Sequence, residues 1–335
     1  MNRKCSEPYE PLMPLMKHLG VTVTSPEQFY WAVNHAYHTV ESEVYDRIHA
    51  GLVLRLGSIW KRLLKALLTD RREIRVLDVG CGTGLVGDFL NLECSDRIDQ
   101  IILLDPCQAM LDRAAEKARI WSFETKLVLG DIFQINCADH QFDVVTVNST
   151  LHHIVDLESF LTYLTELVLP GGILLQAYDE RAESSSDTVY AERRARALLQ
   201  RRVAFPTRLK RKLLRVFQAA AGLENAKPTL DIEAAVNKRL IRDGIITKSM
   251  DIASIWAVTD FHVSGQPGSF GHGISLHQME SLLPSFDLVV SFTYDFFGMP
   301  WDQLTEEERE QEMACLAAND PHGRLFASGW RKSSE

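Results

Sequence analysis

The chain has 335 residues and a formal net charge of −9, enough for one large domain or for one domain carrying a substantial insertion. The acidic balance argues against a nucleic-acid binder, and no run approaches the roughly 20 apolar residues of a membrane span. The six cysteines form no C-x-x-C pair and read as reduced thiols, so neither a disulfide framework nor a metal site is expected; no signal-type apolar core follows Met1-Asn2-Arg3-Lys4-Cys5, so the expected location is cytoplasmic.

Residues 1–70 read as a helical segment ahead of the first strand. Ser25-Pro26-Glu27 supplies a cap, a proline at the first helical position and an acid in the first turn. An aromatic and histidine cluster follows, including Phe29, Tyr30, Trp31, His35, Tyr37, His38, Tyr45 and His49. It is either a helical face packed on the main domain or a lid over a pocket. Ile59, Trp60, Leu63, Leu64, Leu67 and Leu68 form a stripe expected to pack on a sheet.

Ile74 to Val79 is apolar and β-branched, as a buried parallel strand requires. Asp78 precedes glycines at 80, 82 and 84, and Leu85, Val86, Phe89 and Leu90 begin a helical pattern. A strand feeding a glycine turn and a helix N-terminus suits a nucleotide-like ligand. Gly82 to Gly87 also reads as G-x-G-x-x-G, with Asp105 near the distance of a ribose-binding acid. In that dinucleotide frame the strand would have to run through Gly80 and Cys81. The first frame places all three glycines after the strand.

Further strands are expected at Ile101–Leu104, ending at Asp105-Pro106, and at Leu127–Leu129, ending at Gly130-Asp131-Ile132. A fourth runs from Phe142 to Asn148 and continues into Ser149-Thr150-Leu151-His152-His153. Asp156 caps a helix, Pro170-Gly171-Gly172 ends it, and a fifth strand, Ile173–Ala177, leads to Tyr178-Asp179-Glu180. The strand ends thus align polar groups along one edge of a parallel sheet, where open α/β folds bind ligands.

Residues 181–275 form an insertion before a sixth strand at Asp287–Thr293. From Arg193 to Arg215 there are ten Lys or Arg and no acid. This stretch is a solvated helix pair with an apolar underside, a docking face for an anionic partner, or a surface for an acidic carrier protein. Helices are expected after Asp231 and Asp251. Asp260 to Gly273 holds four glycines, a proline and two histidines, so it is irregular. It is either an exposed connection or a loop carrying His262 or His272 to a substrate chamber. Thr305 to Glu308 is a capping-box start, with Met313, Leu316 and Ala317 as the expected inner face, and Leu325–Trp330 is a last strand.

From Ile74 to about Asp179 the motifs resemble those of class I S-adenosylmethionine (SAM) dependent methyltransferases of the small-molecule type. The quoted features are the strand–acid–glycine turn, the acids ending strands two and three, the Phe142-Asp143 start and His152-His153 end of strand four, and Pro170-Gly171-Gly172. The resemblance implies a Rossmann-like α/β fold: a seven-stranded sheet with helices on both faces, its last strand antiparallel between the fifth and sixth. It places SAM as co-substrate over Gly80, Gly82 and Gly84, its amino group by Asp78, its ribose at Asp105, its adenine at Asp131 and Ile132. Tyr37 and Tyr45, each an apolar ring with a hydroxyl, are expected at the methionine end. The implied organisation is an N-terminal cover (1–70), a SAM-binding domain (71–180 and 276–335) and a helical insertion or lid (181–275).

The expected partner is a small-molecule substrate, with no nucleic acid and no membrane. His152, Tyr178 and Asn148 are the catalytic candidates at strand ends. A cyclase that closes SAM on its own amino group, giving azetidine-2-carboxylic acid and methylthioadenosine, is the alternative. A SAM-binding regulatory protein without turnover is a third reading.

Overall fold

The computed structural model describes residues 7–68, 72–137, 141–203, 230–263 and 273–334. The strands are β1 (Ile74–Val79), β2 (Ile98–Asp105), β3 (Glu124–Leu129), β4 (Phe142–Asn148), β5 (Val168–Glu180), β6 (Phe286–Tyr294) and β7 (Leu325–Lys332). They form one sheet in the order β3-β2-β1-β4-β5-β7-β6. β1 to β5 pair in parallel, and β7 runs antiparallel to both β5 and β6. The antiparallel seventh strand between the fifth and sixth is as the resemblance implied.

The central strands β1 and β4 are buried on both faces, which explains why their sequences are apolar almost throughout. β3 begins three residues before its expected start, at Glu124. It is an edge strand and largely exposed, so it tolerates Glu124 and Lys126 and shows no apolar run there. β5 also starts earlier, at Val168, and Pro170-Gly171-Gly172 lies within it as an irregularity in the pairing with β4. Gly171 takes a φ of 70° there, the left-handed region that favours glycine.

The helices before the sheet are α1 (Met13–Leu19), α2 (Pro26–Glu41), α3 (Tyr45–Ile48) and α4 (Ala50–Leu67). Within the sheet domain lie α5 (Leu85–Cys94), α6 (Gln108–Ala118) and α7 (Leu157–Leu167). The insertion contributes α8 (Thr188–Val203), α9 (Ile232–Arg242) and α10 (Ile252–Thr259), and the C-terminal part contributes α11 (Leu276–Leu282) and α12 (Glu306–Ala317). Residues of α4, α5 and α6 share a core with one face of the sheet, and α7 and α11 cover the other. The whole α4 stripe from Ile59 to Leu68 is buried, as expected. Among the described residues no helix is long and apolar enough to cross a membrane.

A third core joins α1 and α2 to α9 and α10, through Leu12, Phe29, Val33, Val236, Ile255 and Phe261. The N-terminal segment and the insertion, far apart in sequence, therefore pack into a single cap. Helix α8 instead lies on the sheet domain, where Arg193 pairs with Asp320 at 2.7 Å and Arg201 with the buried Glu308 at 2.7 Å. Two arginines of the basic stretch are thus structural, while Leu198 and Leu199 are exposed; residues 204–229 lie outside the described part.

The Thr305 capping box is present on α12, but its inner face differs from the expected one. Leu316 is buried, whereas Met313 is exposed, and so is Ala317. Glu308 and Glu312 are buried instead, since each carboxylate has partners that offset its desolvation. Glu312 accepts the backbone N–H groups of Asp295 and Phe296, and Arg55 of α4 bonds Asp295 at 2.8 Å. This buried cluster ties α4 to the ends of β6 and β7.

Candidate active site

The carboxyl ends of β1, β2, β3, β4 and β5 open into a cavity of about 540 Å³, roofed by the cap. Asp78, Gly80, Gly82, Asp105, Asp131, Ile132, Asn148, His152 and Tyr178 line it from the sheet side. Tyr30, Tyr37, Glu41, Tyr45 and Asp260 line it from the cap. Gly84 does not: it is the N-cap of α5 with φ 82°, and a Cβ there would press on Trp121 and Ala114 at 3.1 and 3.3 Å. Its glycine serves turn geometry and packing. Gly82 is the opposite case. Its φ is 53°, and a Cβ would meet nothing within 4 Å, so the backbone lies open to the cavity.

Asp78 is buried at the end of β1. Its Oδ1 accepts the Thr146 hydroxyl at 2.6 Å, while Oδ2 is buried without a hydrogen-bond partner in the protein. Burial, with a contribution from Asp105, raises its pKa to about 7. A buried carboxylate oxygen beside a glycine turn is a receptor for a donor, and best for a cation. Asp105 is also buried. Its Oδ2 accepts the Gly82 N–H at 2.9 Å and its Oδ1 that of Cys107 at 2.8 Å, so it braces the glycine turn against the next loop. Asp131 caps the short turn after β3 by accepting the Phe133 N–H at 2.9 Å, and Ile132 beside it is buried.

The cap side is aromatic and acidic. The Tyr37 hydroxyl donates to Glu41 at 3.1 Å, and His49 lies 3.2 Å from the same carboxylate. Burial opposes ionisation of Glu41, but His38 and His49 outweigh it and hold its pKa at about 2. The Tyr45 ring sits 4.4 Å from that of His49. Burial pushes the Tyr37 and Tyr45 hydroxyls well above their ordinary range, so both stay neutral. Several contacts anchor the helices above the cavity: among them, the Tyr30 hydroxyl donates to the His153 carbonyl, and Thr83 of the glycine turn donates to Asp46 at 2.8 Å.

At the β4 and β5 ends three candidates converge. Asn148 accepts the Trp60 indole N–H at 3.0 Å. Tyr178 holds a φ of 68°, unusual for a bulky residue, and its N–H donates to the Tyr294 hydroxyl at 2.7 Å. His152 Nδ1 lies 2.8 Å from Oδ1 of the fully buried Asp179, which also accepts the His152 N–H at 3.0 Å. Burial lowers the His152 pKa, but the Asp179 bond and charge outweigh it and raise it above the ordinary value. His153 goes well below, through burial and its histidine neighbours, with Nδ1 2.8 Å from the Thr259 carbonyl.

His152, His153 and Asp260 can each offer a donor atom with all three within 4.8 Å, the spacing of a possible metal cluster among the described residues. His262 bonds the Ile154 carbonyl through its ring at 2.9 Å and is not among the described lining residues; His272 lies outside the described part. Glu41 and Asp260 as lining groups, and Trp60 as a brace on Asn148, are not legible in the sequence, because each meets the site through tertiary packing alone.

A profile described as a methyltransferase domain matches residues 77–176, the span that carries β1 to β5. Over this span the chain is similar to the class I SAM-dependent methyltransferases. It is 28% identical over 166 residues to the ubiquinone/menaquinone biosynthesis C-methyltransferase UbiE of Yersinia pestis (strain Pestoides F), covering 47% of this chain and 63% of that one. It is 30% identical over 132 residues to the 2-phytyl-1,4-naphtoquinone methyltransferase of Synechococcus elongatus, covering 38% and 55%. The chain thus spans less than two thirds of the length of these relatives. Among solved structures it is similar to the plantazolicin methyltransferase BpumL bound to S-adenosylhomocysteine (SAH), at 12% identity, a TM-score of 0.47 and coverage of 96% and 99%.

Proposed function

We propose that this protein is a SAM-dependent methyltransferase acting on a small molecule held beneath the helical cap. The observation that carries this reading is the unpartnered Oδ2 of Asp78, buried beside a glycine turn that is open at Gly82. The α-amino group of SAM would supply the missing donor. In this reading Gly80 and Gly82 give the methionine part close backbone approach, and Asp105 receives the ribose on lone pairs left beside its two backbone bonds. Asp131 and Ile132 receive the adenine, and Tyr37 and Tyr45 close over the methionine end. Gly84 shapes the turn from behind.

SAM supplies an already activated methyl group, so the protein has mainly to align acceptor and methyl. Asn148, His152 and Tyr178 sit at adjacent strand ends, where they would face the acceptor. The cap, built from α1, α2, α9 and α10, would admit and enclose it. The named relatives are a ubiquinone/menaquinone biosynthesis C-methyltransferase and a 2-phytyl-1,4-naphtoquinone methyltransferase, but their similarity to this chain covers less than half of it, so the acceptor is not carried over.

The test is to incubate purified protein with SAM, alone and with panels of small acceptors, and to analyse the products by mass spectrometry. SAM that stays intact alone and yields SAH plus a methylated product with an acceptor supports the reading. Methylthioadenosine and a cyclic amino acid from SAM alone would establish the cyclase instead.

A further inference from the structure

Asp179 is wholly buried, yet it is fully engaged. Its Oδ1 takes both the N–H and the Nδ1 of His152, and its Oδ2 accepts the Gln176 amide at 2.9 Å. Gln176 Oε1 accepts the Ser328 hydroxyl at 3.1 Å, and Ser328 Oγ accepts the Trp330 indole N–H at 2.9 Å. This chain of buried polar groups runs from the cavity wall through β5 into β7. Each link is saturated, so the carboxylate has one orientation and the imidazole has one tautomer. With Nδ1–H donated to Asp179, the lone pair of His152 is on Nε2. A carboxylate that fixes the tautomer and stabilises the imidazolium is the arrangement of a general base.

A second observation points the same way. Among the described residues, no lysine or arginine lines the cavity. None of the described lining residues carries a permanent positive charge that would bind a preformed anion or draw the proton off an acceptor. Deprotonation during attack then falls to a base.

We propose that His152 is the general base of methyl transfer, with Asp179 as its positioning residue and Gln176, Ser328 and Trp330 fixing Asp179, so that the acceptor is a protic group such as a hydroxyl or a neutral amine rather than a carboxylate. This deepens the methyltransferase reading and rests on it. In the step, the acceptor atom forms its bond to the methyl carbon as the carbon–sulfur bond breaks. The electron pair stays on sulfur, giving neutral SAH. The acceptor's proton passes to Nε2 of His152, and the positive charge moves from sulfonium to imidazolium.

The test begins without any acceptor. Histidine-labelled protein loaded with SAH is examined by long-range proton–nitrogen NMR at a pH where His152 is neutral. The expected spectrum shows His152 as the Nδ1–H tautomer, lost in Asp179→Asn. An Nε2–H tautomer in the wild type overturns the proposal, and this readout stands even if the variant does not fold. Stoichiometric metal in the purified protein that is lost in His153→Ala also overturns it, because Nε2 would then be a ligand. With an acceptor from the screen, His152→Gln and Asp179→Asn should lower kcat about 10²- to 10⁴-fold, with SAM affinity within twofold of wild type. Unchanged kcat in His152→Gln refutes the role. Failure to bind SAH at all would refute the methyltransferase reading itself, a separate outcome.

Discussion

Replacing Asp78 by asparagine should weaken SAM binding and stabilise the ligand-free fold, and the two effects have one cause. The ordinary carboxyl value is 3.8, and burial raises Asp78 to about 7. Ionisation of a group whose folded pKa lies above its unfolded one destabilises the protein. The penalty is absent below about pH 4, grows as pH rises towards 7, and is complete above it. At its full extent it is worth about 4 kcal/mol, taken as an upper value. Asp78→Asn removes it, while the new amide can still accept the Thr146 hydroxyl. The variant should therefore melt at a higher temperature than wild type at pH 8 and at nearly the same temperature at pH 4. SAM affinity should fall about ten- to a hundredfold, since a hydrogen bond to a charged group contributes about 1.5–3 kcal/mol. Wild-type affinity should also rise with pH as Asp78 ionises, and the variant should lose that rise. Calorimetric titration and thermal melts across pH measure both. Equal SAM affinity in the two proteins would mean that Asp78 does not hold the amino group, and no pH-dependent gain in melting temperature would mean that its ionisation does not strain the fold.

Gly82→Ala should abolish measurable SAM binding while lowering stability by only about 1 kcal/mol, because the added methyl meets no protein atom but takes up left-handed backbone and ligand space; a variant that binds SAM normally would place the ligand elsewhere. Asp46→Ala removes bonds to Thr83 at 2.8 Å and Lys117 at 3.1 Å that latch the cap to the glycine turn. Asp46 is half exposed, so the loss is at most about 1 kcal/mol; SAH should dissociate up to about fivefold faster in stopped flow, and an unchanged rate would remove the latch from the account. Tyr178→Phe should slow turnover severalfold and leave SAM affinity intact; equal turnover would take its hydroxyl out of the chemistry.

The strand ends were legible in the sequence because β1, β2 and β4 are apolar runs that end in polar residues, and burial on both faces leaves such runs little else to be. The glycine turn was legible for a similar reason, although Gly84 shows that a motif position can serve packing against Trp121 rather than the ligand. The shared core of the cap was not legible. Phe29 and Val33 meet Val236 and Ile255 across some 200 residues, and no local periodicity encodes that meeting. The inner face of α12 was misread because apolar spacing selects Met313, while Glu308 and Glu312 are buried on partners from distant segments. The Asp179 bond to His152 belongs to the same class: both residues were visible at strand ends, but their contact is tertiary.

The most direct test of the account is a crystal structure of the SAH complex. The α-amino group should lie within hydrogen-bonding distance of Oδ2 of Asp78, the ribose at Asp105, the adenine against Ile132, and the sulfur facing His152 and Tyr178. SAH bound outside the glycine turn, or with its amino group away from Asp78, would contradict it.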